Sequence, residues 1–452
     1  MSVDLNRAED TCDKNRLSLQ NHGFKSTTSP PAGSCHDQPG VMTTDQSEKQ
    51  STRQRDISIL AQQSANLTPA ERESHVSFPD GGFQAWLVVF GSFCAQGAVF
   101  GLINTAAVFE SYFKAHQLKD YSNSQIGWIF SLFFLAAYHQ IMLTYSVLGG
   151  LGGAMLNAPA YGAIAHFFDV RRGLATGLAT TAGGVGGIIF PLLLQFLLGD
   201  GGVGFGWSCR ILGFILLGLC ALANIFIRTR LPPQINGTDG EAGKKRNSVW
   251  PDFTIFQDKR YALSALGIFF MEFGLFVPLT YIVSYAMAHG FDTSESFTVL
   301  SLLNAGSVFG RFLPGFLADK IGRFNVIILA ISLCVATVLG LWLPSGSSRA
   351  TVTAFCVMFG FASGSNLGLA PVCIGQFCAP QEYGRYLGTA QMLASFGTLT
   401  SVPIGGALLG GGQQSSGWLG LILFSGLSYV VALGCYASAR VLATGWHPWV
   451  KF

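Results

Sequence analysis

The chain reads as an all-α protein, a polytopic transmembrane helical bundle, and three observations carry that reading. Half of its 452 residues are hydrophobic and only 11% are charged, whereas soluble proteins carry about 25%, and its mean hydropathy is +0.42. From Gly81 onward, apolar blocks alternate with short polar joints, as a hydrocarbon core about 30 Å thick demands of helices about 20 residues long. The blocks are also apolar all round, without the polar face that the outer helices of a large soluble protein need.

By length and flanking charge the blocks are 86–112, 124–168, 172–198, 207–228, 261–286, 295–318, 325–343, 350–374, 384–409 and 417–440. Residues 1–79 are polar, rich in Ser, Thr, Gln, Asp and Arg, with no apolar run long enough for a signal peptide; they read as a disordered tail. Residues 80–230 then form a first helical half, 231–260 a linker, and 261–452 a six-helix second half. The linker holds Pro232, Pro233, Gly237, Gly243 and the cluster Lys244-Lys245-Arg246, which the positive-inside rule places in the cytoplasm. Counting outward, Arg171, Arg172, Lys320, Arg323 and Arg385 fall on the same side. The joints 199–206, 287–294 and 410–416 carry no Lys or Arg and face outward. Arg349, Lys114 and Lys119 are exceptions to a statistical rule. Both termini are therefore expected in the cytoplasm, with the plasma membrane as the expected location.

Two halves joined by a basic linker suggest the internal duplication of secondary transporters, yet the halves are unequal. The span 86–228 is shorter than 261–440 by about one helical hairpin. The shortfall falls in residues 121–168, which hold no Asp, Glu, Lys or Arg and no obvious loop. At about 1.5 Å per residue that run is too long for one straight crossing.

Four motifs carry a family resemblance: DGGFQAW, opening on Asp80, Gly81 and Gly82; LNAPA, Leu156 to Ala160; HFFDVRRGLATGLATTAGGVGG, His166 to Gly187, with Arg171 and Arg172; and GFLADKIGR, Gly315 to Arg323. In their order and spacing they resemble the monocarboxylate transporter family of the major facilitator superfamily, particularly its fungal members, over residues 80–440. The resemblance implies a two-half transporter fold of twelve helices working by alternating access. Ser122–Phe134 looks like the start of that family's second helix and Tyr145–Ala160 like its fourth, with only LAAYHQIMLT between. The end of the second helix, the third helix and the first-half partner of GFLADKIGR are missing from the pattern. The reading is a fusion of the second helix's start into the fourth: an incomplete first half and about 10 net crossings, all later helices keeping their orientation.

Charges inside apolar blocks are costly and mark functional candidates. Arg311 stands mid-block in NAGSVFGRFLPG; its guanidinium can hold a carboxylate by two parallel hydrogen bonds, and its position matches the family's substrate-binding arginine. The proton-coupled lactate carriers of the family have a lysine in the first helix and an acid one turn before the arginine. Here Asn104 and Ser307 stand at those places, so lactate–proton symport does not carry over, and a larger organic acid or a neutral polar metabolite fits as well. Asn104, Asn157, Ser307 and Arg311 are the expected substrate-binding set. Glu272, in FFMEFGLFVP, is the only carboxylate deep in the second half's blocks. A carboxyl in such surroundings can take up a proton near neutral pH, which makes it the proton-coupling candidate; the rival reading is a lipid- or protein-facing Glu held neutral or paired with Arg311. Glu110 reads as interfacial. Asp319 and Arg323 are expected to form a gating latch, and Arg171 and Arg172 to set topology.

Gly149, Gly150, Gly152, Gly153, Gly173, Gly177, Gly183, Gly184, Gly186 and Gly187 recur at small-xxx-small spacings, which lets membrane helices approach closely. No Gly-Lys-Ser/Thr follows, which excludes a nucleotide-cradling loop. Pro191, Pro278, Pro314, Pro371 and Pro403 are expected kinks. The ten cysteines are scattered, and Cys373 and Cys378 have no His or carboxylate at ligand spacing, so no metal or other cofactor is expected. A net charge of +3 is too small for nucleic acid. Without a catalytic constellation, the expectation is not an enzyme but a secondary active transporter of a small organic solute, a monocarboxylate or other organic acid or metabolite. The solute, the bilayer and, as a co-substrate, the proton are its expected partners. The competing reading is a transport-inactive truncated isoform or mispredicted gene product of such a transporter.

Overall fold

The computed structural model describes residues 78–105, 108–109, 112, 148–199, 202–231, 252–409 and 414–446, with backbone alone at 293 and 414–416. All of them belong to one compact unit, Glu73–Phe452. The tail through residue 77, Glu110, the join across 113–147 and the basic cluster of the linker lie outside the described residues.

The described chain is helical throughout. Its long helices are α1 (Phe83–Asn104), α2 (Gly149–Phe167), α3 (Arg172–Leu198), α4 (Phe205–Phe226), α5 (Lys259–Ala288), α6 (Thr293–Ile321), α7 (Arg323–Thr337), α8 (Arg349–Ile374), α9 (Tyr383–Leu409) and α10 (Gln414–Thr444). A short 3₁₀ turn, Phe253–Gln257, precedes α5, and a π turn, Val338–Trp342, prolongs α7. Among the described residues nine helices are long and apolar enough to cross a membrane. The one left out is α2, whose glycines, Asn157 and His166 dilute its apolar character. The protein is thus a multi-pass membrane protein.

Local chemistry sets the ends. α6 and α7 are separated by Gly322 alone, which caps both at φ 103°, a left-handed conformation that costs glycine least. At the start of α6, the Asp292 amide donates to Glu295 at 3.2 Å, and Arg349 at the start of α8 pairs with the same carboxylate at 2.7 Å. Asp258 caps α5, accepting from the Arg260 amide at 2.9 Å and from its guanidinium at 2.9 and 3.1 Å. The Arg260 side chain holds the Asp258 carboxyl below its ordinary value. A depressed carboxyl contributes stability that is present above its unfolded pKa and lost as pH falls through its folded one. Asp258→Ala should therefore cost about 1 kcal/mol at neutral pH, and the difference from the parent in thermal unfolding should vanish in acid.

The two halves build different cores. In the second, Trp342, Tyr261, Tyr429, Phe324 and Phe355 anchor one continuous cluster spanning α5 to α10. Among its described residues the first half holds three small clusters that share only edge residues such as Leu219 and Ile227, and α4 leaves Trp207, Phe214, Leu217 and Ile225 exposed, as a lipid-facing helix does. The proline positions all fall inside helices: Pro191 in α3, Pro278 in α5, Pro314 in α6, Pro371 in α8 and Pro403 in α9.

Candidate functional site

The halves meet along α6, and glycine is what lets them meet. A Cβ added to Gly177 of α3 would lie 2.5 Å from the Arg311 carbonyl oxygen, and one added to Gly315 would lie 2.5 Å from the Gly173 carbonyl. On the opposite side of α6, Gly306 and Gly310 press against Val357 and Phe361, and Gly364 of α8 against Ser307. Helix α6 is thus clamped between α3 and α8, backbone to backbone, by close van der Waals contact. Gly183, Gly184 and Gly187 continue the α3 seam against Arg311, Ser307 and Asn304, whereas Gly186 faces α1 at Gly101. Gly150 and Gly152 of α2 have open space where a Cβ would stand.

Arg311 lies within this seam at 5% exposure. Its Nη1 donates to the Thr180 carbonyl of α3, and its guanidinium carbon lies 5.5 Å from the centre of the Phe100 ring of α1. Its Nε is buried without a hydrogen-bond partner. Asn304, seven residues earlier on α6, donates to the Gly187 carbonyl at 3.2 Å, and Ser307 turns its hydroxyl back on the Asn304 carbonyl at 2.8 Å. Asn104 donates to the Phe100 carbonyl at 2.7 Å and borders Gly187 beside Asn304. Asn157 of α2 is tied to α1 through Gln96, whose Nε2 donates to its Oδ1 at 3.0 Å. Of the expected set, Asn104, Ser307 and Arg311 therefore line the seam with α3, and Asn157 joins α2 to α1. Gln96, Phe100, Thr180 and Asn304 were not among the sequence candidates, although Gln96, Phe100 and Asn104 recur every four residues, one face of a helix.

Glu272 is 9% exposed and accepts from the Thr398 hydroxyl of α9 at 2.8 Å. The structure gives Glu272 and Arg311 separate partners, so the reading that pairs them is corrected: Thr398 supplies the hydrogen bond on one side and the Thr180 carbonyl on the other.

At the end bearing Arg171, Arg172, Lys320 and Arg323 the halves are tied by polar contacts. Asp319 accepts from the amides of Gly173 and Leu174, both at 2.8 Å. It caps the first turn of α3, which has no side-chain cap of its own, and a carboxylate is favoured at that positive helix end. Arg323 donates to the Asp169 carbonyl and lies 3.9 Å from its carboxylate. Arg172 donates to the Gly375 carbonyl at 3.2 Å and sits over the Tyr383 ring. Tyr161 reaches the Leu367 carbonyl at 3.4 Å. Asp80 accepts from the amides of Asp169 and Arg171 at 2.9 and 3.2 Å, while Gly82, at φ 87°, starts α1. The opening motif thus docks α1 onto the same turn that Asp319 caps. Hydrogen bonds between the halves run from this basic end as far as Asn304, so the structure is closed at the basic end.

A bundle of membrane-spanning helices in two halves, closed at one end over a buried arginine, has the architecture of a membrane carrier. Solved carriers share its fold: a bacterial homologue of the human lysosomal transporter Spinster aligns with TM-score 0.51 and 17% identity over 81% of this chain and 99% of its own. The Escherichia coli fucose:proton symporter aligns with TM-score 0.52 and 14% identity over 78% and 98%. The family follows from sequence: the Major Facilitator Superfamily model matches residues 121–402, and the chain belongs to that superfamily. It is 35% identical to an MFS-type transporter of Penicillium oxalicum over 81% of this chain and 93% of the relative. To the riboflavin transporter of Saccharomyces cerevisiae it is 34% identical over 83% and 81%, and to the aspyridones efflux protein of Emericella nidulans 32% over 79% and 78%.

Proposed function

We propose that the protein is a secondary transporter of a small organic acid, that it works by alternating access, and that Arg311 is the group that holds the acid. The observation that carries the reading is the buried Nε of Arg311, a charged donor with no partner. Such a charge, held at the seam between two halves, is stabilised by an anion that presents two oxygens to its planar edge. The relatives named for riboflavin and for aspyridones support a metabolite larger than lactate. Asp319 and Arg323 serve as the latch of the closed end, which positive-inside bias puts in the cytoplasm together with both termini, and the plasma membrane is the site of action. The decisive experiment is uptake by liposomes holding the full chain. Labelled organic acids should accumulate and a neutral hexose should not; uptake of the hexose alone would defeat the acid reading.

Proton coupling falls to Glu272. Glu272→Gln keeps a group able to bind the Thr398 hydroxyl but removes the proton site. Expected is unchanged downhill exchange of acid with loss of accumulation driven by a pH gradient; accumulation that survives the substitution would remove Glu272 from the mechanism.

One observation favours a second reading, the transport-inactive shortened product. The alignment to the Penicillium relative spans 407 positions but takes up 81% of the 452 residues, about 366, so about 40 positions of the relative face no residue of this chain. That supports a chain shorter than its relative by about one helical hairpin; the motif pattern of the sequence is what suggests the first half as the place of the loss. Sequencing the transcript across codons 113–147, and finding binding without uptake in the liposomes, would decide for that reading.

A further inference from the structure

A second buried polar atom lies unpartnered in the first half of the site. Gln96 is 1% exposed, its Nε2 is committed to Asn157, and its carbonyl Oε1 has no hydrogen-bond donor. It precedes Phe100, the residue under the Arg311 guanidinium, by one turn of α1, a rise of about 6 Å. A buried acceptor left empty is as unfavourable as a buried donor left empty. Helix α1 thus carries a buried neutral acceptor one turn from the ring that faces the Arg311 guanidinium, and α6 a buried cationic donor, each without a partner of its own.

We infer that the solute carries an O–H or N–H donor as well as its acid group, and that Gln96 Oε1 receives that donor while Arg311 holds the acid. This rests on the acid reading above and narrows it: hydroxylated, phenolic, amide- or imide-bearing acids can meet both groups, whereas a plain monocarboxylate meets Arg311 alone. Gln96 is then a specificity residue. A site with a buried hydrogen-bonding group discriminates against the analogue that lacks the counterpart, because the site's own group is left unpaired.

The test is binding of benzoate, 3- and 4-hydroxybenzoate and 4-methoxybenzoate to the full chain in nanodiscs, by titration calorimetry. At least one hydroxybenzoate should bind about tenfold more tightly than benzoate and 4-methoxybenzoate, one buried hydrogen bond's worth. Gln96→Leu and Gln96→Met, two variants so that a misfolded one can be set aside by size-exclusion chromatography, should bring it down to the benzoate level. Equal binding of all four acids, preference for the methoxy compound, or an advantage that survives both variants would overturn the inference. In each of those outcomes Arg311→Gln still weakens every acid and the acid reading stands. If Arg311→Gln changes none of them, or no acid binds, the acid reading falls and this inference with it.

Discussion

Vesicles carrying Arg311→Gln are expected to take up organic acid at least about thirtyfold more slowly than the parent, because truncating one partner of a buried charged hydrogen bond costs about 2–5 kcal/mol. The loss is expected without loss of the fold. Glutamine has an amide that can still donate to the Thr180 carbonyl, which Arg311 now engages through Nη1, and it removes a buried charge whose desolvation weighs against the folded state. Arg311→Lys separates charge from shape. Lysine keeps the positive charge but is a point donor on a flexible stem, without the planar fork that meets a carboxylate edge-on, and without the flat guanidinium that lies over Phe100. An intermediate rate, about tenfold below the parent, is expected for it. Uptake in Arg311→Gln vesicles equal to the parent, with equal insertion, would show that the acid is held elsewhere.

The helices were legible because the bilayer imposes a length and an apolarity that any membrane-spanning segment must show. The block 172–198 matches α3 residue for residue, and 261–286 and 295–318 each stop a few residues short of α5 and α6. They stop short because charged ends such as Lys259, Asp319 and Lys320 remain helical at the interface while ending an apolar run. Arg311 was legible for the same reason: a lone charge in an apolar block has few destinations. Partners across the halves were not. Asp319 meets the amides of Gly173 and Leu174, backbone groups that every residue has and no sequence pattern marks. Gln96 and Thr180 are ordinary polar residues until packing removes their water. The glycine seam was half legible. The repeats of the first half stood out by density, but Gly306, Gly310, Gly315, Gly360 and Gly364 are spread over α6 and α8, and only the assembled bundle shows which neighbouring backbone each of them meets.

That seam yields a large structural effect for a single substitution. Gly177→Val is expected to destabilise the protein by about 3 kcal/mol, the upper part of the range for overpacking. The added Cβ would stand 2.5 Å from the Arg311 carbonyl oxygen and 3.4 Å from Gly315 Cα. Backbone atoms cannot rotate away as a side-chain end can, so relief requires α3 and α6 to separate. Separation has a price at both ends of the seam: it withdraws the Thr180 carbonyl from Arg311 and the α3 amides from Asp319, so closure at the basic end and the anion site should fail together. Gly434→Val is the matched control. It makes the same change in a membrane helix, α10, with nothing within 4 Å of the new Cβ, and should leave both thermal unfolding and uptake at parental levels. If Gly177→Val unfolds at the parental temperature by size-exclusion chromatography with tryptophan fluorescence and still transports, the two helices are not in backbone contact in the membrane, and the arrangement that buries Arg311 is wrong.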